Sequence, residues 1–344
     1  MFNPFVGILK FILSLLVVAI HVEPFTGDTA FYLNNCIARI AVPTFFVLTS
    51  YFLFDKLLNN NWDKKIFWKQ QKHLALYYLV WLLLHAPVII IRLTETTDKP
   101  FEFAWLLIQA VCLKGAYGSL WFLPATLMAL TLVYLLGKKT KPWVSLLISF
   151  PFFFFAVLET EYYALIKDIV WMDYIYDFLV MIFGWLANGL TFGFFFCSVG
   201  YYIAYTKHKK RNFKADVIIT ILSFVLLFSE TTIIRDYNLG ASYGAMFLLI
   251  PTVYFLCRVV LNMKPNSKLN TAAKFLQNMS LLIYPMHFAV MEIMEYILQN
   301  NKCYIASTVL QYVIVTAITC GISTLIIYLG DKKNIKIAKA LYGK

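Results

Sequence analysis

Residues 7–25 read GILKFILSLLVVAIHVEPF, a segment apolar enough to cross a membrane that nevertheless carries Lys10 near one end and His21 near the other. A charge at membrane depth costs about 2.5–3.5 kcal/mol even on insertion scales, so such residues usually face a protein interior and mark a pathway or site; the other readings are a Lys10 that snorkels to the headgroups and a His21 satisfied by one backbone carbonyl. Lys10 and His21 are eleven residues apart. At 3.6 residues per turn that is three turns plus roughly 20°, so both project from one stripe of a helix, separated by roughly 16 Å along its axis. One helix face thus presents an ammonium near one side of the membrane and an imidazole near the other. The segment is expected to be retained rather than cleaved as a signal peptide, because Lys10 interrupts its apolar core and no small-x-small site follows.

The whole chain has this character. It has 344 residues, 61% of them hydrophobic, 18% aromatic and only 14% charged, where a soluble globule has about 25% charged residues. That excludes a soluble two-domain enzyme and points to an all-α polytopic membrane bundle. The formal net charge of +12 does not indicate nucleic acid, since the positive residues lie in short clusters between apolar runs, and anionic membrane lipid is the expected counterion. Six cysteines (Cys36, Cys112, Cys197, Cys257, Cys303, Cys320) lack CxxC or metal spacing and read as free thiols packed as small hydrophobes.

With about 20 apolar residues per span, ten spans are expected, near 5–23, 36–55, 74–93, 119–136, 143–158, 179–206, 215–234, 243–262, 276–297 and 304–329. One apolar stretch, FEFAWLLIQAVCLKG at 101–115, is left over. Read as a span it would reverse the sign of every later loop, so it is expected to be a short re-entrant or interfacial helix. The clusters 56–72, 137–142, 207–214, 258–274 and 332–344 then share one side and hold 22 of the 30 Lys and Arg. By the positive-inside rule that side is the cytoplasm, with both termini on it. The acidic, aromatic stretch ETEYYALIKDIVWMDYIYD at 159–177 falls outside. Residues 1–330 form one expected membrane domain and 331–344 a short basic tail. The predicted location is the cell membrane.

Other ionisable groups sit in or beside these spans. Arg39 lies near the outer end of the second, one turn before Pro43, and a guanidinium keeps its proton and so needs a partner or water. Its place across a short hairpin loop lets it approach His21, and anchoring to lipid headgroups is the other reading. Lys69 and Lys72, at i and i+3 in FWKQQKHLALYY, share a face that suits a phosphate-rich ligand as well as ordinary positive-inside topology. Trp121 opens the fourth span in GSLWFLPATL, and Pro285 and His287 interrupt the ninth in MSLLIYPMHFAV. A proline leaves a helix carbonyl without its donor, and His287 is expected to bind a carbonyl so freed. Walker, GxGxxG, GxSxG and HExxH motifs are absent, and five histidines with few intramembrane carboxylates do not suggest a metal site.

Taken together, Lys10-x10-His21, the RIAVPTFF…SYFL second span, Lys69-x-x-Lys72, LWFLPA and SLLIYPMH resemble, in order, the membrane acyltransferase-3 family. That family includes surface-polysaccharide O-acyltransferases and the membrane domains of vancomycin-resistance-type serine racemases. The resemblance covers nearly the whole chain. It implies a ten-span bundle that takes an acyl group, typically acetyl from acetyl-CoA, and delivers it to a hydroxyl of a cell-surface glycan or its lipid-linked precursor. His21 then corresponds to the residue regarded as catalytic, with Arg39 beside it on the acceptor or oxyanion. Lys10, Lys69 and Lys72 would serve the phosphates of the acyl-CoA, and Trp121 and His287 the acceptor. The alternative is a transport domain for a small polar solute such as L-serine, acting with a serine/alanine racemase. Two positions depart from the family pattern. Thr49-Ser50 replaces the usual serine-glycine, and Phe288 replaces the proline that follows the late histidine.

Overall fold

A computed structural model describes residues 3–97, 99–115, 118–209, 212–240, 244–301, 305 and 307–343, less the side chain of Ser119. Cys303, Lys210, Arg211 and Lys344 lie outside the described residues. The described chain is all helix and turn, with no strand. In order it forms α1 (Pro4–Val22), α2 (Gly27–Tyr32), α3 (Ala41–Asn59), α4 (Lys64–Thr96), α5 (Pro100–Gln109), α6 (Phe122–Gly137), α7 (Pro142–Glu161), α8 (Tyr163–Ile166), α9 (Val170–Phe183), α10 (Phe194–Thr206), α11 (Phe213–Asp236), α12 (Leu249–Asn262), α13 (Asn270–Asn300), α14 (Thr308–Asp331) and α15 (Lys336–Ala340). Helix is the consequence of composition, since hydrocarbon offers no partner to an N–H or C=O and each segment must satisfy its own backbone. Polar caps close the starts where that rule runs out. The Asn3, Asp63, Asn212 and Ser307 side chains accept from the first free N–H groups of α1, α4, α11 and α14.

Seven stretches among the described residues are long and apolar enough to cross a membrane: Pro4–Val22, Gly27–Asn59, Lys64–Thr96, Pro142–Glu161, Phe213–Asp236, Ser267–Asn300 and Thr308–Asp331. The other three expected spans meet shorter helices, α6, α10 and α12. The run 179–206 is divided rather than continuous. Gly184 leaves the helix at φ 79°, a left-handed conformation that favours glycine, and α10 is entered through a π-helical turn, Gly189–Gly193, capped by Asn188. The leftover stretch 101–115 is α5 followed by a π turn, Ala110–Lys114, far short of a span. Its Gln109 amide donates to the carbonyls of Met181 and Ile182 at 2.9 and 3.1 Å, satisfying the end of α9.

The chain forms two compact units. In residues 1–42 and 259–344, α1 packs along α13. A Cβ on Gly7 would lie 2.5 Å from the Ala273 carbonyl oxygen, so the two backbones touch there. Fourteen residues further along both helices, the rings of His21 and His287 meet. Equal spacing on both partners means the helices run parallel. Helix α14 closes the group, with Tyr312 donating to the Leu15 carbonyl and Thr308 to that of Pro24. The basic tail folds back on it. The Tyr342 ring is 1% exposed against Gly330, where any side chain would collide with it. Its hydroxyl donates to Asp331 at 2.9 Å, and burial pushes the phenol up to about 12, so the donor survives at physiological pH.

The second unit, residues 43–258, has an aromatic core in which Phe46, Phe153, Phe192, Phe195 and Phe196 pack against one another, Phe153 and Phe195 stacked and the other pairs tilted or edge-on. Ser50, which stands where the acyltransferase-3 pattern has glycine, is buried, and its hydroxyl donates to the Cys197 carbonyl. The close approach survives because Gly200 supplies the missing space: a Cβ there would lie 2.4 Å from the Val47 carbonyl oxygen. Cys112, Cys197, Cys257 and Cys320 are free thiols.

Replacing Gly7 by alanine is expected to force α1 from α13 and cost about 1–3 kcal/mol, read as a lower denaturation midpoint in detergent. Gly321→Ala, where a Cβ meets open space within α14, is the matched control and should not destabilise.

Candidate functional site

Helix α1 is unbroken from Pro4 to Val22, so Lys10 and His21 do share one stripe. Lys10 is half-buried one side of the middle, and His21 is half-buried in the last turn. The His21 ring centroid is 5.2 Å from that of His287, with the planes 35° apart. The Phe288 ring stands edge-on to His21 at 5.3 Å and 89°. An aromatic side chain in the place of the family's proline therefore walls the imidazole on one flank.

His287 is 1% exposed. Its Nδ1 lies 3.0 Å from the Ile283 carbonyl, one turn back in α13. A carbonyl only accepts, so Nδ1 carries the hydrogen and Nε2 presents a lone pair. His287 does bind a backbone carbonyl of α13, though not the one four residues before Pro285. Pro285 lacks the N–H that would reach Leu281, four residues back, whereas His287 binds Ile283. Its Nε2 is buried with no hydrogen-bond partner among the described residues.

Arg39 enters from the other side of the α1 hairpin. The helix before α3 is irregular, a π turn at Leu33–Ile37 followed by a 3-10 turn at Ala38–Ile40, at the level where Pro43 can offer no N–H to the Arg39 carbonyl. The guanidinium donates to the Asn35 side chain at 3.3 Å and lies within electrostatic reach of the His21 imidazole. His21, His287 and Arg39 are thus brought together within the first unit. The sequence offered no sign of the two-histidine contact, because residues 266 positions apart share no local pattern.

Lys69, Lys72 and Trp121 belong to the second unit. Lys69 and Lys72 are exposed, one turn apart on α4. Lys72, but not Lys69, lines a cleft of about 660 Å³ between α4, α6 and the π turn after α5. Its walls are mainly apolar, including Trp68, Leu127, Met128 and Leu132. The polar side chains in the wall spend their hydrogen bonds inside it: Gln71 donates to the Leu127 carbonyl and to Thr131, and Tyr78 to the Val111 carbonyl. From Trp68 to Tyr78 the cleft follows α4 for roughly 15 Å. Trp121 closes a 3-10 turn, Gly118–Trp121, and packs near Phe46 and edge-on to Trp185. Gly115, at φ 70°, lets the backbone of Leu120 and Trp121 approach closer than any side chain would permit.

Two buried polar clusters of the second unit escaped sequence reasoning. Arg258, counted among the charges of the 258–274 loop, lies inside the unit and pairs with Asp216 at 2.7 Å, both about 7% exposed. Opposite charges in neighbouring apolar runs were the available signal. The acidic stretch beginning at residue 159 is also partly internal, since Glu159 and Glu161 end α7 and are buried. Glu161 accepts from the Ala245 N–H at 2.9 Å, and Glu230 accepts from Tyr162, Phe247 and Leu248 at 2.7–2.8 Å. No group of three or more His, Cys, Asp or Glu among the described residues is placed to hold a metal ion.

Comparison with known proteins bears on this arrangement. A family model described as an acyltransferase domain, of acyltransferase-3 type, matches residues 3–328. Two curated relatives from Enterococcus faecalis, each named amino-acid racemase, are 26% identical over 74% of this chain and 24% identical over 97% of it. A serine/alanine racemase of Enterococcus gallinarum is 24% identical over 91% of the chain. The matches cover 35%, 47% and 44% of those proteins, so the chain spans less than half the length of the curated relatives it matches. No solved structure matches the chain. With the family model covering nearly the whole chain, the protein is a multi-pass membrane protein that belongs to the acyltransferase-3 family.

Proposed function

We propose that this protein is an integral-membrane O-acyltransferase that moves an acetyl or other short acyl group from acyl-CoA to a hydroxyl of a cell-surface polysaccharide or its lipid-linked precursor. The observation that carries the reading is the half-buried His21 imidazole, packed against His287 and within reach of the Arg39 charge, in a chain of this family. In the reaction the acceptor oxygen bonds to the acyl carbon, the C–S bond breaks, and the acceptor proton ends on the sulfur of CoA. His21 serves as general base toward the acceptor hydroxyl, a task that suits a neutral imidazole near pH 7. Arg39 stabilises the negative charge that develops on the acyl oxygen. Lys69 and Lys72 attract the donor phosphates, and the cleft that Lys72 helps to line takes the arm of the donor. Lys10 adds positive charge on the His21 stripe, and Trp121 offers a flat face to a sugar ring. The clustering of Lys and Arg in alternate loops supports a donor site on the cytoplasmic side, with both chain termini on that side.

The names of the relatives favour a second reading, in which the bundle handles a small polar solute such as L-serine for a racemase. Proteoliposomes supplied with labelled acetyl-CoA, or with labelled serine, separate the two. Label appearing on glycan supports acyl transfer, and serine uptake without acylation overturns it.

Replacing His21 by alanine is expected to lower acyl transfer by about 10²–10⁴-fold, with insertion and thermal stability retained. Undiminished transfer by that variant would remove the base assignment. Lys72→Ala is expected to raise the donor KM about two- to fivefold with little change in kcat, because an exposed ion pair contributes up to about 1 kcal/mol. The difference should shrink as salt is raised.

A further inference from the structure

His287, which packs beside His21, has its two ring nitrogens in unlike positions. Its Nδ1–H is spent on the Ile283 carbonyl at 3.0 Å, while its Nε2, in a side chain 1% exposed, has no hydrogen-bond partner among the described residues. A buried acceptor left unmatched calls for an explanation. If the histidine served only to steady α13 around Pro285, the bond to Ile283 would suffice and an apolar wall would do for the rest of the ring. Instead the ring faces another imidazole, with centroids 5.2 Å apart and planes 35° apart. Two imidazoles joined edge to edge by an N–H···N bond of about 2.9 Å have centroids at about that separation, so the ring spacing is that of a hydrogen-bonded pair, which a rotation of the half-buried His21 would complete.

We propose that His287 is a positioning residue for His21: its Nε2 accepts the N–H of His21, selects the tautomer of that ring and steadies the imidazolium that forms during acyl transfer. This rests on the acyltransferase reading of His21. The bond at Ile283 holds Nδ1 protonated, so His287 stays neutral and acts as an acceptor throughout. The acceptor proton moves to the other nitrogen of His21 while the new O–C bond forms. The C–S bond breaks, and His21 passes the proton to the leaving thiolate. Nothing is oxidised or reduced. The arrangement fills with a second histidine the place that a carboxylate takes in other base–orienter pairs. It also accounts for Phe288, whose edge-on contact limits the rotation of His21.

The test reads His21 directly and needs no acceptor. Full-length protein in nanodiscs is treated with diethyl pyrocarbonate, and carbethoxylation of His21 is followed by peptide mass spectrometry for wild type, His287→Phe and His287→Gln. Phenylalanine keeps a ring but has no acceptor, and is expected to slow modification of His21 by about tenfold or more. Glutamine, whose amide oxygen reaches the Nε2 position, should restore the rate to within a few-fold of wild type. In the acyl-transfer assay kcat should follow the same order with donor KM unchanged. Equal His21 reactivity in all three proteins, or a loss confined to KM, overturns the proposal. Selective ¹⁵N-histidine NMR of the wild type guards against a misfolded variant. A protonated Nδ1 with a hydrogen-bonded Nε2 supports the relay, and a free Nε2 or the opposite tautomer overturns it. The two readings fail separately: coupled reactivity without acyl transfer leaves the histidine pair and removes the acyltransferase, while acyl transfer with uncoupled reactivity does the reverse.

Discussion

Hydrocarbon cannot hydrogen-bond, and this constraint orders everything in the structure. It compels each apolar run to close its own backbone as helix, and it makes every polar group at depth find a partner inside the protein. Most do. The Asp216–Arg258 pair satisfies two opposite charges at once, and the Tyr254 hydroxyl accepts a further bond from the same guanidinium. The carboxylate of Glu230 accepts three donors, two of them backbone N–H groups where the chain turns into α12. The Nε2 of His287 is a buried acceptor that lacks such a hydrogen bond among the described residues, and it lies beside the ring of His21.

Glycine has the complementary task. Where two helices must come close, the side chain has to vanish on one of them, and Gly7 does this for α1 against α13 while Gly200 does it for α10 against α3. The first of these contacts matters for chemistry. It lays α1 and α13 side by side in parallel, so that positions fourteen residues beyond the contact meet at the same depth, and those positions are the two histidines. An overpacked Gly7 would therefore be felt about 21 Å away along the helix, at the group on which the proposed function depends.

The relation to the racemase-named relatives is one of part to whole. The chain corresponds to less than half of each, and its family match describes an acyltransferase domain. A polar stripe on the opening helix suits either acyl delivery or solute passage. The setting of His21, with a cation nearby and a second imidazole behind it, suits a general base and so favours group transfer, because a path for a neutral zwitterion has no need of a paired base.

Composition and periodicity by themselves determined that the chain is helical, membrane-spanning and basic in its loops, because hydropathy over about 20 residues is a local property that no later contact can reverse. They also determined that Lys10 and His21 share a stripe, since helical geometry needs only a spacing. The break at Gly184, the shortness of α6, α10 and α12, and the burial of Arg258 were decided by local turn geometry and by partners in other helices. So was the joining of His21 to His287. Residues that far apart in sequence meet only when α1 and α13 have packed in register, and which of a histidine's two nitrogens is left open depends on a carbonyl that becomes available only in that packed helix.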